Sequence, residues 1–399
     1  MATSVATTAA AAYQGSAPAR PSRLQSIDVV RGAVMVLMAL DHVRDYVTRL
    51  RFAPEDLTRG TAALFATRWV THFCAPAFFL LAGLGIGLLG RGKTPREMSR
   101  YLLTRGLWLI VLDLVITPVG WRFSFNILPA FALVLWALGL SMILMAALIH
   151  LPKALVAAIA LVAIAGHNAF DAVQPQSLGA FGPWWLVLHG PGFAIPGKLL
   201  IAYPLVPWFA VMALGWVLSD VYGWEPARRR QFFIWCGVGA VVLFVALRAF
   251  NAYGNTFPWT TQRTFGLTIA SFLNLRKYPP SLQFLLMTLG PTLVALAFAE
   301  RARGRVADWL AVYGRVPLFY YVGHIFVAHA LAMALMLAQG GELRTVNVIT
   351  DPGSLPEWYG LSLPGVYAAW AIVVAIMYYP CRWFGRLKAQ GKHPLLGYL

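Results

Sequence analysis

The sequence predicts an all-α, polytopic transmembrane helical bundle of about ten spans, with both termini in the cytoplasm. Of its 399 residues, 59% are hydrophobic and only 12% are charged, and the apolar residues are gathered into long runs. About a quarter of the residues of a typical soluble domain are charged, and they cover a surface that faces water. With half that charge, most of this surface must face lipid instead.

A membrane-spanning helix needs about 20 mostly apolar residues. Ten segments meet or approach this requirement: 27–47, 67–90, 101–119, 127–149, 154–170, 198–219, 231–250, 282–299, 317–338 and 363–384. They form one predicted domain, residues 23–390. Residues 1–22 lack the apolar core of a signal peptide and are expected to form a disordered cytoplasmic tail, and residues 391–399 a second cytoplasmic tail.

Basic residues predict the orientation of the bundle. Twenty of the 32 Lys and Arg residues flank the spans on the side of the N-terminus, the expected cytoplasmic side of a bacterial inner membrane. Topology and anionic lipid headgroups thus explain the net charge of +17. Nucleic acid is excluded as a partner, because no basic domain stands apart from the spans. A homodimer is compatible with the sequence.

The end of the first span, LMALDHVRDYV, holds the densest polar group, with Asp41, His42, Arg44 and Asp45. Ionisable residues inside a membrane are costly and are therefore candidates for function. His42 and Asp45 are i,i+3 neighbours, and a carboxylate beside an imidazole favours a general base or a nucleophile. The alternative is an interfacial helix end whose charges reach into water, which we favour for Arg44.

His72 lies at the same predicted membrane level, at the outer end of the second span. Adjacent packing of these two spans would bring His42 and His72 to a shared ligand, with His72 as a second acid or base. Gly83, Gly85 and Gly87 would permit close helix approach. The alternative for His72 is a single interfacial histidine bonded to a neighbouring carbonyl group.

Other polar residues are candidates for binding a substrate. Arg68 belongs to a basic cluster at the first outer loop, with Arg44, Arg49, Arg51 and Arg59, which breaks the rule that basic residues stay inside. The candidates are Asp41, Arg44, Arg68, His189, Lys277 and His324. His324 could equally be a hydrogen-bonded core residue. Asp113 needs a partner that the pattern does not name, and Asp28 with Arg31 predicts an ion pair.

No closed metal site is expected from the spacing of His, Asp, Glu and Cys, although His42, His72 and a carboxylate could bind zinc in principle. The alternating glycines of GLGIGLLG lie inside a span, which indicates helix packing and not a phosphate-binding loop. Two long outer connections, 251–281 and 339–362, are expected to cap the outer face.

Several stretches, taken together and in order, resemble heparan-α-glucosaminide N-acetyltransferase and its bacterial relatives, a family of transmembrane acyltransferases. They are RLQSIDVVRG (23–32), DHVRD (41–45), HFCAPAFFLLAG (72–83), YPLVPWFAVMALGW (203–216), KYPPSLQFLLMTLG (277–290) and GRVPLFYYVGHI (314–325). The resemblance implies transfer of an acetyl group from cytoplasmic acetyl-CoA to an amine or hydroxyl on the far side. In lysosomal members the active histidine follows the first span. Residues 46–71 contain no histidine, so His42 and His72 are the nearest candidates.

Three functions follow from these residues. The first is an acyltransferase that acts on a sugar, a glycan or a lipid headgroup, with His42, Asp45 and His72 as catalytic residues. The second is a transporter or flippase of a polar or lipid-linked solute, whose path the same buried polar groups would line. The third is a non-catalytic scaffold or sensor.

Overall fold

The computed structural model describes residues 25–343 and 355–391, so the predicted tail 1–22 and all but the first residue of the predicted tail 391–399 lie outside the described residues. Fifteen α-helices form in the described part. They are α1 (Gln25–Val47), α2 (Ala62–Thr71), α3 (Cys74–Leu89), α4 (Pro95–Val111), α5 (Thr117–Arg122), α6 (Val134–Leu148), α7 (Lys153–Gly166), α8 (Gly182–Leu188), α9 (Leu205–Leu218), α10 (Pro226–Ala249), α11 (Phe265–Leu273), α12 (Leu282–Ala299), α13 (Arg305–Gly314), α14 (Pro317–Ala338) and α15 (Leu363–Ala389).

Eight helical segments of the described chain are long and apolar enough to cross a membrane, which makes this a multi-pass membrane protein. They are Ala62–Leu89, Pro95–Arg122, Lys153–Phe170, Leu205–Gly223, Pro226–Ala249, Leu282–Ala299, Pro317–Ala338 and Leu363–Ala389. Each overlaps a predicted span. The other two predicted spans correspond to α6, which has only 15 residues, and α1, which carries five charged residues. The count of ten and the orientation stay predictions.

Helix α1 lies at the centre of the bundle and packs against α3, α12, α13, α14 and α15. We call the side where α1 begins the N-terminal face and the side where it ends the opposite face. Near the N-terminal face, Arg31 lies 3.9 Å from Asp28, as predicted, and donates to the Gly314 carbonyl at 3.2 Å. These contacts join the beginning of α1 to the end of α13 and hold this part of α1 in place.

Two of the three glycines predicted to permit close packing do so where α3 crosses α9 and the turn that follows it. A Cβ at Gly83 would lie 1.9 Å from the Met212 carbonyl oxygen, and one at Gly87 would lie 1.9 Å from Oγ of Ser219. Gly85 differs, because a Cβ there would meet nothing within 4 Å. It faces open space on the other side of α3.

The partner that Asp113 needs is the beginning of α6. Asp113 lies in a π-helical turn, Leu112–Ile116, between α4 and α5. Its Oδ2 atom accepts from the backbone N–H groups of Leu133 at 2.7 Å and Trp136 at 2.9 Å. A carboxylate at a helix N-terminus satisfies unpaired N–H groups and complements the helix dipole. The first residues of α6 are thereby held against α5.

The opposite face is covered by short strands and loops. Strands β1 (Ala130–Ala132), β2 (Gly192–Ile195) and β3 (Leu199–Ile201) form a sheet of order β1-β3-β2, in which β1 is parallel and β2 antiparallel to β3. Where it is described, each long connection contacts the segment that follows α1. Asn274 donates to the Glu55 carbonyl at 3.1 Å, and Arg51 donates to the Tyr359 carbonyl at 2.8 Å. Residues 344–354 lie outside the described part.

Candidate functional site

A cavity of about 210 Å³ lies beside the end of α1, and we call it the histidine cavity. Its wall comes from α1, α2, α3, α5, α6, α14 and the loops of the opposite face. The polar lining residues are Asp41, His42, Asp45, Arg68, Thr71, Lys277 and three tyrosines, Tyr203, Tyr278 and Tyr321. Four of the predicted binding or catalytic residues from the first helical pair and one from a distant loop therefore meet here.

His42 is held in this cavity by a second histidine. Its Nδ1 atom lies 2.7 Å from Nε2 of His324, and Nδ1 of His324 lies 2.8 Å from the Tyr320 carbonyl oxygen. A carbonyl oxygen only accepts, so a neutral His324 carries its proton on Nδ1 and accepts at Nε2. His42 consequently donates its Nδ1–H to His324. The lone pair of His42 is left on Nε2, for which no hydrogen bond forms within the described residues, on a side chain that lines the cavity.

Neighbouring aromatic rings fix the direction of this lone pair. The His42 ring meets Trp121 edge to face, with 4.9 Å between centroids, and lies nearly parallel to the His324 ring, edge to edge, with 5.0 Å between centroids. Trp121 is held in turn, because the Tyr46 hydroxyl donates to its carbonyl oxygen at 2.9 Å. A ring fixed in this way is suited to proton abstraction or nucleophilic attack, both of which require a set distance and angle.

The predicted pair of His42 and Asp45 does not form. Asp45 accepts from Nη2 of Arg44 at 2.6 Å, while His42 bonds to His324 instead. The i,i+3 spacing brings two residues to one side of a helix, but a neighbouring guanidinium offers a carboxylate the stronger, charge-assisted hydrogen bond. Asp45 still lines the cavity and is half-exposed.

Three carboxylates and two guanidinium groups form an ion network beside the cavity. Oδ1 of Asp41 lies 2.8 Å from Nη1 of Arg44, and Oδ2 of Asp41 accepts from Arg68. Arg68 also donates its Nε–H to Glu55 at 2.6 Å, and Arg44 pairs with Asp45. Because every charge has a partner of opposite sign, the network can remain buried near the membrane.

Arg44 is not an interfacial side chain that reaches into water, which was the favoured interpretation from the sequence. Only 4% of the residue is exposed, and its guanidinium is divided between Asp41 and Asp45. It also does not line the histidine cavity. It lines instead, together with Asp45, a neighbouring cavity toward the opposite face, so it stays a candidate binding residue there.

His72 lies away from the histidine cavity, so the predicted convergence of His42 and His72 on one ligand does not occur. His72 is buried, its ring lies 5.4 Å from that of Phe284, and its Nε2 atom is 3.9 Å from Glu55. Burial alone would raise the pKa of Glu55, but the nearby His72 and the Arg68 charge hold that pKa well below its usual range. His72 therefore contacts the ion network from outside the histidine cavity.

Lys277 and Tyr278 close the cavity from the loop before α12. The Tyr278 hydroxyl lies 3.3 Å from that of Tyr203, and both side chains line the cavity with Lys277. Burial would raise the pKa of Tyr278, but the positive charges of Lys277 and Arg68 outweigh it and lower that pKa. This wall thus presents donors with positive charge behind them, which favours a negative charge developing in the cavity.

A second cavity, of about 260 Å³, extends from the N-terminal face toward the first, and we call it the apolar cavity. Phe78, Val134 and Tyr321 line both cavities, so the two adjoin at these side chains. Arg31 and Arg105 line the apolar cavity near the N-terminal face, and Gly85 forms part of its wall. The two cavities therefore follow one another between that face and the neighbourhood of His42, with the side chains of Phe78, Val134 and Tyr321 between them.

His189, another predicted binding residue, belongs to a different part of the molecule. Its Nε2 atom lies 3.0 Å from Oδ1 of Asp171, and neither residue lines the histidine cavity. His324, in contrast, belongs to the site, as the partner of His42.

The sequence did not single out several residues that build the site. Trp121, Tyr203, Tyr278 and Tyr321 all line the cavity, and Glu55 completes the ion network. Tyrosine and tryptophan near span ends are typical of membrane interfaces, so their positions do not distinguish a site. Glu55 offered a weak signal, as an acidic residue inside a basic outer loop.

Comparison with known protein families finds a match to the family described as heparan-alpha-glucosaminide N-acetyltransferase, catalytic, over residues 23–247. The matched region holds His42, the ion network and Tyr203, while Lys277, Tyr278, Tyr321 and His324 come from the part of the chain beyond it. Comparison with curated proteins finds no match. Because the family match covers more than half of the chain, this protein belongs to the heparan-alpha-glucosaminide N-acetyltransferase family of transmembrane acetyltransferases.

Proposed function

We propose that this protein transfers an acetyl or other acyl group from cytoplasmic acyl-CoA to an amine or hydroxyl of a sugar, glycan or lipid headgroup at the outer side of a bacterial inner membrane. The N-terminal face is the cytoplasmic side in this proposal. The observation that carries it is the hydrogen-bonded His42–His324 pair, which leaves Nε2 of His42 as an acceptor in a cavity that adjoins the apolar cavity on the side of the N-terminal face.

The apolar cavity suits the donor. His42 is eleven residues beyond Arg31 on α1, which is about 16 Å along the helix axis. Acetyl-CoA carries its thioester at the end of a long, thin pantetheine arm, so its nucleotide can stay at the N-terminal face while the thioester reaches His42. Arg31 and Arg105, which line that end of the cavity, favour the anionic phosphates of CoA there.

A third cavity of about 310 Å³ suits the acceptor. It lies toward the opposite face and shares Asp45 with the histidine cavity. Asp41 and Asp45 give the shared region carboxylate oxygens that can accept hydrogen bonds from an amine or a hydroxyl. Donor and acceptor would then approach His42 from opposite sides.

The chemistry at His42 is a proton transfer coupled to acyl transfer. Nε2 of His42 takes a proton from the acceptor as the acceptor nitrogen or oxygen bonds to the thioester carbonyl carbon. The negative charge that develops on the carbonyl oxygen is stabilised by Arg68, Lys277 or the Tyr278 hydroxyl on the facing wall. The carbon–sulfur bond then breaks, and the proton on His42 passes to the sulfur to release CoA as a thiol.

The test is acetyl-CoA turnover by the purified protein with a panel of amino sugars and polar lipids. We expect His42→Ala to reduce turnover about 10²–10⁴-fold, the usual contribution of a general base. His150→Ala is a matched control, because His150 lies on the N-terminal face and bonds to Ser99 at 2.8 Å. Unchanged turnover in His42→Ala would remove His42 from the mechanism.

Three further results would separate the alternatives. Radiolabelled acetyl retained on wild-type protein but not on His42→Ala would show that His42 acts as a nucleophile through an acetyl-histidine. Solute uptake into proteoliposomes without consumption of acetyl-CoA would instead identify a transporter. Function preserved after loss of both His42 and His72 would indicate a scaffold or sensor.

A further inference from the structure

A second cluster of titratable side chains lies near the opposite face, outside the histidine cavity. His167 begins a 3₁₀ turn, His167–Phe170, that continues α7, Asp171 follows that turn, and His189 follows α8. One ligand atom from each of the three residues lies within 4.8 Å of the other two. Among the described residues, this group has the composition and spacing of a metal site.

Asp171 is held in place by a relay of hydrogen bonds. Its Oδ1 atom lies 3.0 Å from Nε2 of His189, and its Oδ2 atom accepts from Nδ2 of Asn168 at 2.9 Å. The side-chain oxygen of Asn168 accepts in turn from the Leu282 N–H at 2.8 Å. Carboxylates that bind metals are commonly oriented by such outer hydrogen bonds.

His167 is the observation that points to a ligand. Only 3% of the residue is exposed, and its ring has a contact with the Pro280 backbone that falls short of good hydrogen-bond geometry within the described part of the chain. Buried polar side chains almost always have partners, and one backbone carbonyl group can satisfy at most one of the two ring nitrogens, so the other needs an explanation. A metal ion bound with Asp171 and His189 would supply that partner.

We infer that His167, Asp171 and His189 bind one divalent transition-metal ion, with zinc as the best match. Two imidazoles and one carboxylate are a zinc ligand set, and the fourth position is left for water or an anion. Ligand atoms of a tetrahedral zinc site lie about 3.4 Å apart, given metal–ligand distances of about 2.1 Å. The Asp171 and His189 ligand atoms are already 3.0 Å apart, and all three lie within 4.8 Å of one another, so the His167 ring is the ligand that must move closer.

The charge around the cluster favours an anion as the fourth ligand of the metal. The metal and one carboxylate leave a net charge of +1, and Arg276 is the nearby cation that acts on His167 and Asp171. Its Nε–H donates to the Tyr278 carbonyl at 3.1 Å. Hydroxide or a bound anion at the open position would balance these charges.

The metal would join two separate parts of the opposite face. One is the turn that continues α7, and the other is the segment that follows α8. The site is independent of the acyltransferase proposal, because no cluster residue lines the histidine cavity. Its expected role is structural, and it departs from the absence of metal that the spacing of ligands along the sequence suggested.

The experiment uses tag-free full-length protein in detergent, stripped with a chelator and then titrated with Co²⁺ and Zn²⁺. We expect one metal ion per chain, with visible Co²⁺ absorption typical of tetrahedral coordination. His167→Gln, Asp171→Asn and His189→Gln should each weaken binding at least 100-fold, because each removes a ligand. His150→Gln, which removes a histidine on the N-terminal face, should bind as wild type.

A second measurement covers variants that do not fold. X-ray absorption of zinc-loaded wild-type protein should show two imidazole ligands, and added zinc should raise the melting temperature of wild type and of His150→Gln. Much less than one metal ion per chain, or a zinc spectrum without imidazole, would overturn the assignment. Folded cluster variants that keep wild-type affinity would overturn it as well.

Discussion

At the scale of single residues, the chemistry of this protein depends on which hydrogen-bond partner each polar side chain finds. His42 and Asp45 are neighbours on α1, yet Asp45 bonds to Arg44, and His42 bonds to His324. The partner of His42 is therefore an imidazole nitrogen, which accepts from Nδ1–H and sets the tautomer of His42. A carboxylate in that place would set the same tautomer but would also raise the basicity of His42. The Tyr320 carbonyl oxygen decides that tautomer, through His324.

Replacing His324 tests this chain of hydrogen bonds. We expect His324→Ala to lower kcat for acetyl transfer about tenfold or more, with little change in KM, because His42 stays present but loses its fixed tautomer and direction. The pH profile of kcat should shift as well. Steady-state kinetics over a range of pH provides the measurement.

His329→Ala is the control for that variant. His329 is buried on the same helix and lies 3.0 Å from the Gly120 carbonyl oxygen, without contact to His42. A purely structural role of His324 would give both variants the same loss of stability and the same unshifted pH profile.

Glu55 links the ion network to the pH dependence of stability. Its folded-state pKa is depressed, so Glu55 stabilises the fold above its unfolded pKa of about 4.3 and loses that contribution as pH falls below it. We expect Glu55→Gln to reduce stability at pH 7 by roughly 2 kcal/mol, the scale of a hydrogen bond to a charged group. The difference from wild type should shrink as the pH falls from 6 to 3.

Thermal unfolding in detergent at several pH values measures this difference. Glu357→Gln is the matched control, because Glu357 is exposed on the same face. A constant difference between wild type and Glu55→Gln across that pH range would contradict the ion network.

At the scale of helices, α3 serves two purposes on two of its sides. Gly83 and Gly87 bring it into backbone contact with α9 and the turn after it, while Gly85 opens onto the apolar cavity. Three glycines at alternate positions look equivalent in the sequence. Their surroundings separate them, because successive glycines at i and i+2 point about 200° apart around a helix.

Filling the apolar cavity at Gly85 tests the donor path. We expect Gly85→Leu to raise KM for acetyl-CoA roughly tenfold or more, since the added side chain occupies space that the donor arm needs. Stability should change little, because nothing lies within 4 Å of a Cβ at this position. Steady-state kinetics with acetyl-CoA as the varied substrate is the measurement.

Gly239→Leu is the control for Gly85→Leu. Gly239 is an exposed glycine on α10 with the same open space around its Cβ, and it lines neither cavity. An unchanged KM in Gly85→Leu would place the donor path elsewhere.

At the scale of the whole molecule, three adjoining cavities lie between the two faces of the bundle. The apolar cavity shares Phe78, Val134 and Tyr321 with the histidine cavity, and the third cavity shares Asp45 with it. This order predicts that donor and acceptor reach His42 from different sides of the membrane.

Sealed proteoliposomes test that prediction. With acetyl-CoA only outside and acceptor only inside, we expect acetylated acceptor to accumulate inside in vesicles that contain wild-type protein. Vesicles with His42→Ala should form no product above background. Product that forms only when donor and acceptor share one side would rule out transfer between faces.

The sequence by itself determined the long apolar segments and their order along the chain, and for some of them the ends as well. A long apolar run in lipid must satisfy its backbone hydrogen bonds internally, and a helix does so. Segments 282–299 and 317–338 coincide with α12 and α14 for this reason. The sequence also indicated α1 as the functional helix, because charges such as Asp41 at its end are costly in a membrane.

Only the tertiary structure decided which residues meet. His42 and His324 are 282 positions apart, and their contact depends on how α1 and α14 are rotated against each other. His72, at the end of α2, packs beside Phe284 of α12 and does not line the histidine cavity. Apolar patterning determines that a helix forms, but partner choice comes from side-chain packing between helices, which no spacing along the chain encodes.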